Sequence, residues 1–189
     1  GIAVESVGNE NSQTVYEMDL TTNRVDAMNH YGVAREASAI YNVALKPVAP
    51  KLLAANAETS FPIVIDDANA CARYTARIIR GVKIGPSPEL VVKRLELLGS
   101  RSINNAADAP NYALNELGHP THAFDLDLLE GGTIIVRRAR EGEVLKTLDG
   151  VDRKLTAEDL VIADAKKPVA LAGVMGGFDT MITENTRNV

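Results

Sequence analysis

The chain has 189 residues, 46% of them apolar and 24% charged, which is the composition of a domain with a buried core and not of a disordered chain. Twenty Lys and Arg stand against 25 Asp and Glu, and the formal charge of −5 excludes a protein that coats nucleic acid by general positive charge. The single Cys71 excludes an internal disulfide and any zinc or iron–sulfur site with several Cys ligands.

Alternating apolar and polar residues predict two strands near the N-terminus, at 1–7 and 14–20, joined by a loop over 8–13. Asp26 is predicted to cap the Ala-rich helix that follows. After this helix the periodicity is lost, and the two prolines and small residues of 46–60 favour a linker.

Beyond the linker, two more strands are predicted at 62–66 and 73–82. Ser87 has the side chain of a helix cap, and Pro88 suits the first helical position. The spacing of apolar residues then predicts a helix that stops at Gly99.

The rest of the chain is predicted to be mostly strand. A helical spacing covers 104–117, where Pro110 predicts a break, a kink or a later start. Asp149-Gly150 is typical of a hairpin turn. Short strands are expected at 133–138, 143–148, 153–155 and 160–163, before a glycine-rich apolar stretch at 168–177.

The strands and helices do not alternate regularly, which favours an α+β fold with mixed or antiparallel sheets and packed helices. The composition change at the linker predicts three segments. These are a partial N-terminal module at 1–45, the linker at 46–60 and a main domain at 61–189.

Two of the three histidines lie in the polar segment 108–125, as His119 and His122. Three readings of them stay open. With Asp125 they could bind a metal, although Pro120 disturbs helical geometry and residues three apart on a strand face opposite sides. They could be hydrogen-bonded loop side chains, or one of them could act as an acid–base group, because imidazole titrates near neutrality.

Two other sequence patterns contain residues that could contact a ligand. Gly173-x-x-Gly176-Gly177 lacks the spacing of a dinucleotide or P-loop motif, so it indicates either tight backbone packing or a pocket wall of small residues. The basic run 137–140 could contact phosphate or could be a set of solvated strand charges.

Seven motifs together resemble the beta subunits of bacterial phenylalanyl-tRNA synthetases over nearly the whole chain. They are, in chain order, Asp19-Leu20-Thr21-x-Asn23-Arg24-x-Asp26-Ala27, Tyr31-Gly32-Val33-Ala34-Arg35-Glu36, Cys71-x-Arg73-Tyr74, Ile78-x-x-Gly81-Val82, Arg101-Ser102-Ile103-Asn104-Asn105-x-x-Asp108-x-x-Asn111-Tyr112, Gly118-x-Pro120-x-His122-Ala123-Phe124-Asp125 and Leu171-Ala172-Gly173-Val174-Met175-Gly176-Gly177. The resemblance implies the family's first structural module followed by its editing domain.

The resemblance implies post-transfer editing, in which tyrosine mischarged on tRNA(Phe) is removed by hydrolysis of its ester bond. The implied partners are the acceptor end of tRNA(Phe), the synthetase alpha subunit and tyrosine as a small-molecule ligand. ATP and magnesium belong to the parent enzyme, and no cofactor is expected in this chain. No apolar run approaches the roughly 20 residues of a membrane span, and 1–7 lacks a leader pattern, so a cytoplasmic protein without a membrane partner is expected.

The family's site residues fall on positions of this chain. By resemblance, His122 is the editing histidine near the ribose and the hydrolytic water, and Asn111 orients substrate or water. Ala172, Gly173 and Gly176 correspond to the small-residue wall around the tyrosyl ring. Pro110 is a pocket position where the family usually has Thr, so a hydroxyl and an N–H are missing there.

Two further departures bear on activity. The family's tyrosine-binding Glu is expected a few residues beyond Val189, and a short loop near 8–13 stands where the family has a tRNA-binding insertion. The chain is therefore expected to be a shortened piece of the editing subunit. A non-catalytic piece that docks the alpha subunit or tRNA is the alternative.

Overall fold

The computed structural model describes residues 2–10, 12–51 and 60–189. The chain divides into two compact units. The first unit is Gly1–Leu53 with Pro86–Thr121, and the second is Ala54–Gly85 with His122–Val189. The predicted segments 1–45, 46–60 and 61–189 divide the chain differently and stay a prediction, as part of the linker lies outside the described residues.

The first unit begins with a two-stranded antiparallel ribbon of β1 (Ala3–Glu10) and β2 (Gln13–Asp19). Both predicted strands are confirmed, but the loop predicted over 8–13 was too long. β1 continues to Glu10, because Asn9 pairs with Thr14 across the ribbon and accepts a hydrogen bond from its hydroxyl at 3.3 Å. Residue 11 of the predicted loop lies outside the described residues.

The helix α1 (His30–Tyr41) begins later than predicted, and Asn29 caps it instead of Asp26. The Asn29 side chain accepts a hydrogen bond from the Gly32 N–H at 2.8 Å. The Asp26 carboxylate is held by Arg24 instead, at 2.9 Å, and so does not cap a helix. Hydrogen bonding by Arg24 lowers the pKa of Asp26 against partial desolvation.

The helix α2 (Glu89–Leu97) is confirmed, with Pro88 rather than Ser87 at its cap position. The Ser87 hydroxyl donates to the buried carboxylate of Asp108 at 2.6 Å. The hydroxyl that the sequence assigned to capping therefore connects α2 to the next helix.

The helix α3 (Asn105–Leu117) is continuous and contains Pro110, so neither the break nor the later start predicted for this proline occurs. Asn104 caps it by accepting from the N–H groups of Ala106 and Ala107. Asp108 lies in the first turn, where carboxylates suit a helix N-terminus. Burial would raise its pKa, but hydrogen bonds from Ser102, Ser87 and the backbone outweigh this effect and hold the pKa below its usual value.

The second unit is organised around a mixed five-stranded sheet in the order β3-β4-β7-β8-β9, with a separate two-stranded sheet of β5 and β6. β3 is parallel to β4, and the other neighbours in both sheets are antiparallel. The predicted α+β class with mixed sheets is thereby confirmed. The strands are β3 (Ile63–Ile65), β4 (Ile134–Arg138), β5 (Val144–Lys146), β6 (Asp152–Lys154), β7 (Leu160–Ala163), β8 (Pro168–Leu171) and β9 (Met175–Gly176).

The strand predicted over 73–82 is wrong, because the backbone of that segment pairs with the C-terminal residues only at isolated points. Ile79 and Val189 exchange backbone hydrogen bonds at 2.8 and 2.9 Å, and Arg80 forms a single bridge with Asn188. The main core lies on the five-stranded sheet and contains the buried residues Leu129, Ile134, Val136, Ile162, Val169 and Ala170. Among the described residues, no helix combines the length and apolar character needed to span a bilayer.

Two fully buried threonines of the second unit allow a matched test of hydrogen-bond satisfaction. The Thr180 hydroxyl has no hydrogen-bond partner among the described residues, whereas the Thr147 hydroxyl donates to Asp149 at 2.5 Å and accepts from Arg153 at 3.0 Å. We expect Thr180→Val to raise the free energy of unfolding and Thr147→Val to lower it by about 1–3 kcal/mol, since leaving buried polar groups unpaired is costly. Urea unfolding measures both; equal destabilisation by the two variants would contradict the assignment.

Candidate functional site

The His122 imidazole packs directly against the backbone of Gly176. A Cβ atom on Gly176 would lie 3.1 Å from the His122 Nδ1 and closer still to Cε1 and Nε2. Such an approach leaves no room for a side chain, so only glycine at this position permits the observed ring placement. The motifs that contain these two residues, far apart in the sequence, therefore meet in the second unit.

The adjacent Gly177 also has no space for a side chain, for a different reason. Its N–H donates to the Val169 carbonyl at 2.7 Å, and a Cβ on Gly177 would lie 2.5 Å from the same oxygen. Gly177 thus holds the end of β9 against β8, while Gly176 presents bare backbone to the imidazole.

A second contact of the imidazole is aromatic. The rings of His122 and Phe124 lie 4.5 Å apart between centroids with an interplanar angle of 75°, an edge-to-face arrangement. Residues 118–125 between α3 and the next short 3₁₀ turn form no regular helix or strand, so these contacts and not a ladder position the ring.

Desolvation lowers the pKa of His122 below the ordinary value of 6.5. The side chain keeps solvent-exposed surface, yet Gly176 and Phe124 replace water around part of the ring. A lowered pKa favours the neutral imidazole near pH 7, and the neutral form can accept a proton.

Ala172 and Gly173 lie just before this contact, in the turn that joins β8 to β9. Ala172 is partly buried against the main core, and its N–H donates to the Leu160 carbonyl at 2.9 Å. Gly173 has a φ of +71°, which suits glycine, and no atom lies near where its Cβ would be. The turn therefore leaves open space beside Gly173.

Asp125 anchors the segment that carries His122. Its carboxylate is buried and accepts a hydrogen bond from the Thr186 hydroxyl at 2.5 Å and from the Asp127 N–H at 3.1 Å. Its own N–H donates to the Thr180 carbonyl at 3.0 Å. Three residues after the imidazole, the chain is thus tied to the C-terminal segment.

Pro110 and Asn111 belong to α3 of the first unit, and their part in the site stays a prediction. Both are half-buried, and the Asn111 carbonyl accepts a hydrogen bond from the Asn115 side chain at 2.9 Å. Of the six residues assigned by resemblance, the contacts directly join His122 and Gly176, with Ala172 and Gly173 in the adjoining turn.

The alternative metal reading of His119, His122 and Asp125 finds no support. No group of three or more His, Cys, Asp or Glu side chains with metal-binding geometry occurs within 2–10, 12–51 and 60–189. The Asp125 carboxylate is directed at Thr186 and Asp127 instead.

The basic run 137–140 is engaged within the chain. The side chains of Arg137 and Glu143 are each 12% exposed and form a two-pronged ion pair at 2.7 and 2.9 Å. Arg138 pairs with Asp67 at 2.8 Å, and this hydrogen bond is the main cause of the lowered pKa of Asp67. Phosphate contact by Arg137 or Arg138 would require an ion pair to break.

Sequence reasoning missed Phe124 and Thr186 as supports of the histidine. Phe124 is only two positions from His122, so an aromatic contact was a detectable possibility. Thr186 lies 61 positions from Asp125, and no local sequence pattern predicts their hydrogen bond.

Residues 70–189 match the B3/4 domain family. Curated relatives named phenylalanine–tRNA ligase beta subunit are similar over more of the chain. That of Geobacter metallireducens is 48% identical over 178 residues, and that of Anaeromyxobacter dehalogenans is 49% identical over 175 residues. These matches cover 93% and 92% of this chain but 22% of each relative, so the chain spans a minor part of their length.

A solved structure is also similar, an N-terminal fragment of the phenylalanyl-tRNA synthetase beta subunit from Pyrococcus horikoshii. It is 15% identical with a TM-score of 0.49, and the match covers 99% of this chain and 57% of that one. The family resemblance carried by the sequence motifs is confirmed by the curated relatives.

The contact with Gly176 predicts the titration of His122. Its pKa should lie below 6.5 in the folded chain and return to about 6.5 in urea, where the desolvating contacts are absent. Because the unfolded chain then binds the proton more readily, this group should reduce stability as the pH falls below about 6.5 and have no effect above. NMR titration of the imidazole Hε1 signal measures the pKa directly, and a folded value at or above 6.5 would refute the prediction. Gly176→Ala, which displaces the ring, should raise the pKa of His122 in the folded chain.

Proposed function

Because the chain belongs to the B3/4 domain family, we propose that it is an editing part of a phenylalanyl-tRNA synthetase beta subunit. Its proposed reaction is hydrolysis of the ester that joins tyrosine to tRNA(Phe). Aminoacylation, which uses ATP and magnesium, is assigned in this proposal to the alpha subunit, with which the chain would work in the cytoplasm.

The observation that carries this proposal is the contact of the His122 ring with the bare backbone of Gly176. It joins a neutral, partly desolvated imidazole to a wall of small residues that could admit an aromatic ring. Ala172 and the open space beside Gly173 would continue that wall. An imidazole beside such a wall suits a reaction on an aminoacyl ester.

In the proposed reaction, His122 orients a water molecule and takes one of its protons as the water oxygen attacks the ester carbonyl carbon. The bond between that carbon and the ribose oxygen then breaks, and the proton passes to the ribose oxygen. The products are tyrosine and uncharged tRNA. The ester is already activated, so positioning supplies most of what the site must add.

Selection of tyrosine over phenylalanine requires a polar group that pairs with the phenol hydroxyl. A site with such a group rejects phenylalanine, because its polar atoms would be left unpaired in the complex. By resemblance that group is a Glu expected a few residues beyond Val189. Asn111 and Pro110 are proposed pocket residues, with Asn111 orienting substrate or water.

A second candidate function is docking of the alpha subunit, which the β1–β2 ribbon favours. A bulge between Val4 and Ser6 places the side chains of Val4 and Val7 on one face of the ribbon. Their cross-strand partners, Met18 and Tyr16, lie on the same face. On this face Val4, Val7 and Tyr16 are 49%, 60% and 55% exposed. Exposed apolar side chains grouped on one face are typical of protein contact sites.

The charge of the ribbon favours a protein partner over tRNA. Residues 1–23 contain no Lys or Arg, and the ribbon carries four carboxylates, Glu5, Glu10, Glu17 and Asp19. Phosphates would be repelled here, whereas an apolar protein surface with a basic rim would be complementary.

The two histidines of the loop before Asp125 provide a direct test of the catalytic proposal. We expect His122→Ala to slow deacylation of Tyr-tRNA(Phe) about 100-fold or more, since general-base catalysis is lost. His119→Ala, the same change three positions away, should leave the rate intact. Release of labelled tyrosine measures the rates, for the chain alone and with an alpha subunit; equal rates for wild type and His122→Ala would sink the proposal.

Docking is tested by a charge placed on the apolar face of the ribbon. Val7→Asp should weaken binding to a phenylalanyl-tRNA synthetase alpha subunit at least about 10-fold, since it buries a charge without a partner. Val43→Asp is the control, an equally exposed valine outside the ribbon. Calorimetric titration measures the affinity. Identical affinity for the two variants, with wild-type thermal stability, would place the docking surface elsewhere.

A further inference from the structure

The segment His122–Asp125 is held at its end by one buried side-chain hydrogen bond. Thr186 is 1% exposed and Asp125 is 6% exposed, and the Thr186 hydroxyl donates to Asp125 Oδ2 at 2.5 Å. A short bond from a hydroxyl to a carboxylate is of the strong, charge-assisted class. Displacement of Asp125 would therefore be opposed by the loss of this bond inside the protein.

The same carboxylate shapes the chain that follows it. Asp125 Oδ1 accepts from the Asp127 N–H at 3.1 Å and caps the 3₁₀ turn Leu126–Leu128. The Asp127 carboxylate in turn accepts from the Asn188 side chain at 2.9 and 3.1 Å. The residue before this short turn and its central residue are thus both tied to the C-terminal segment.

The imidazole at the start of the segment has little freedom once its end is fixed. Phe124 lies edge to face with it on one side, and Gly176 contacts it on another. Phe124 is directly bonded to Asp125, so a shift of the carboxylate moves the aromatic ring that borders His122. The backbone N–H of Asp125 also donates to the Thr180 carbonyl at 3.0 Å.

We propose that Thr186 is a positioning residue, which sets the orientation of the His122 ring through its hydrogen bond to Asp125 and through Phe124. In this proposal Thr186 acts on the ring through Asp125 and Phe124, and its hydroxyl also accepts a hydrogen bond from the Thr183 N–H at 3.0 Å. The expected effect of Thr186 on catalysis rests on the proposed function, whereas the orientation of the ring can be measured independently of any activity.

Thr180, another buried threonine of the second unit, gives a matched control. Thr186→Val removes the hydroxyl and keeps the shape, so Asp125 Oδ2 loses this donor and the Thr183 N–H loses its acceptor. Thr180→Val makes the same change at a position with 0% exposure whose hydroxyl has no partner among the described residues. Thr186→Ser restores a donor and serves as the conservative variant.

The first measurement is the NMR signal of the His122 Hε1, which the Phe124 ring current shifts. In Thr186→Val we expect this signal to move toward its position in the unfolded chain, and Thr186→Ser and Thr180→Val to keep the wild-type position. An unmoved signal in a folded Thr186→Val variant would overturn the proposal. If that variant does not fold, Asp125→Asn replaces it, and an unmoved signal in folded Asp125→Asn would overturn the proposal equally.

The second measurement is deacylation of Tyr-tRNA(Phe). Thr186→Val should lower kcat about 100-fold with little change in KM, because misplacement of a reacting group by about 1 Å has this size of effect. Recovery of kcat in Thr186→Ser is expected. A moved His122 signal with wild-type kcat would overturn the positioning role, whereas a moved signal in a chain without any deacylase activity would refute the proposed function and leave the ring-orienting role of Thr186 in place.

Discussion

The contact between the His122 ring and Gly176 is the constraint on which the candidate site depends. Because Gly176 has no side chain, the imidazole can approach the backbone at van der Waals distance and lose water from that side. The lowered pKa follows from this lost water. The contact also joins two sequence motifs that belong to different elements, the loop after α3 and the strand β9. Without it, the histidine would be an ordinary loop side chain.

The sequence predicted those elements whose own residues determine them. The apolar run of β4 and the Asp149-Gly150 turn between β5 and β6 were found because pattern and structure have the same local cause. The segment 73–82 failed because alternation alone does not supply a neighbouring strand, and its backbone meets the C-terminus at only a few points. Alternation in the sequence indicates which face of a segment is apolar, but it does not indicate whether another strand pairs with that segment.

The errors at helix ends have one physical origin, which is competition for the same side chain. Asp26 and Ser87 both have good capping groups, but Arg24 holds the first and Asp108 takes the second. Asp108 lies 21 positions from Ser87 and outside any local window, whereas Arg24 lies two positions before Asp26, where a capping rule that considers only the following turn does not look. The site shows the same limit: small residues and a histidine were recognised, while the Asp125–Thr186 bond spans 61 positions and has no local signature.

The bulge in β1 separates two kinds of sequence change in the ribbon. Glu5 has no partner in the register that pairs Val4 with Met18 and Ser6 with Glu17, and it supplies the extra residue that puts Val4 beside Val7. Because Glu5 stands outside the pairing, loss of residue 5 would close the bulge and leave Val4 and Val7 on one face in strict alternation. A change that draws residue 5 into the ladder would instead turn Val4 to the face of Ser6 and divide the apolar face in two. Related chains can therefore vary at residue 5, or lack it, and retain that face as long as the other residues keep this register.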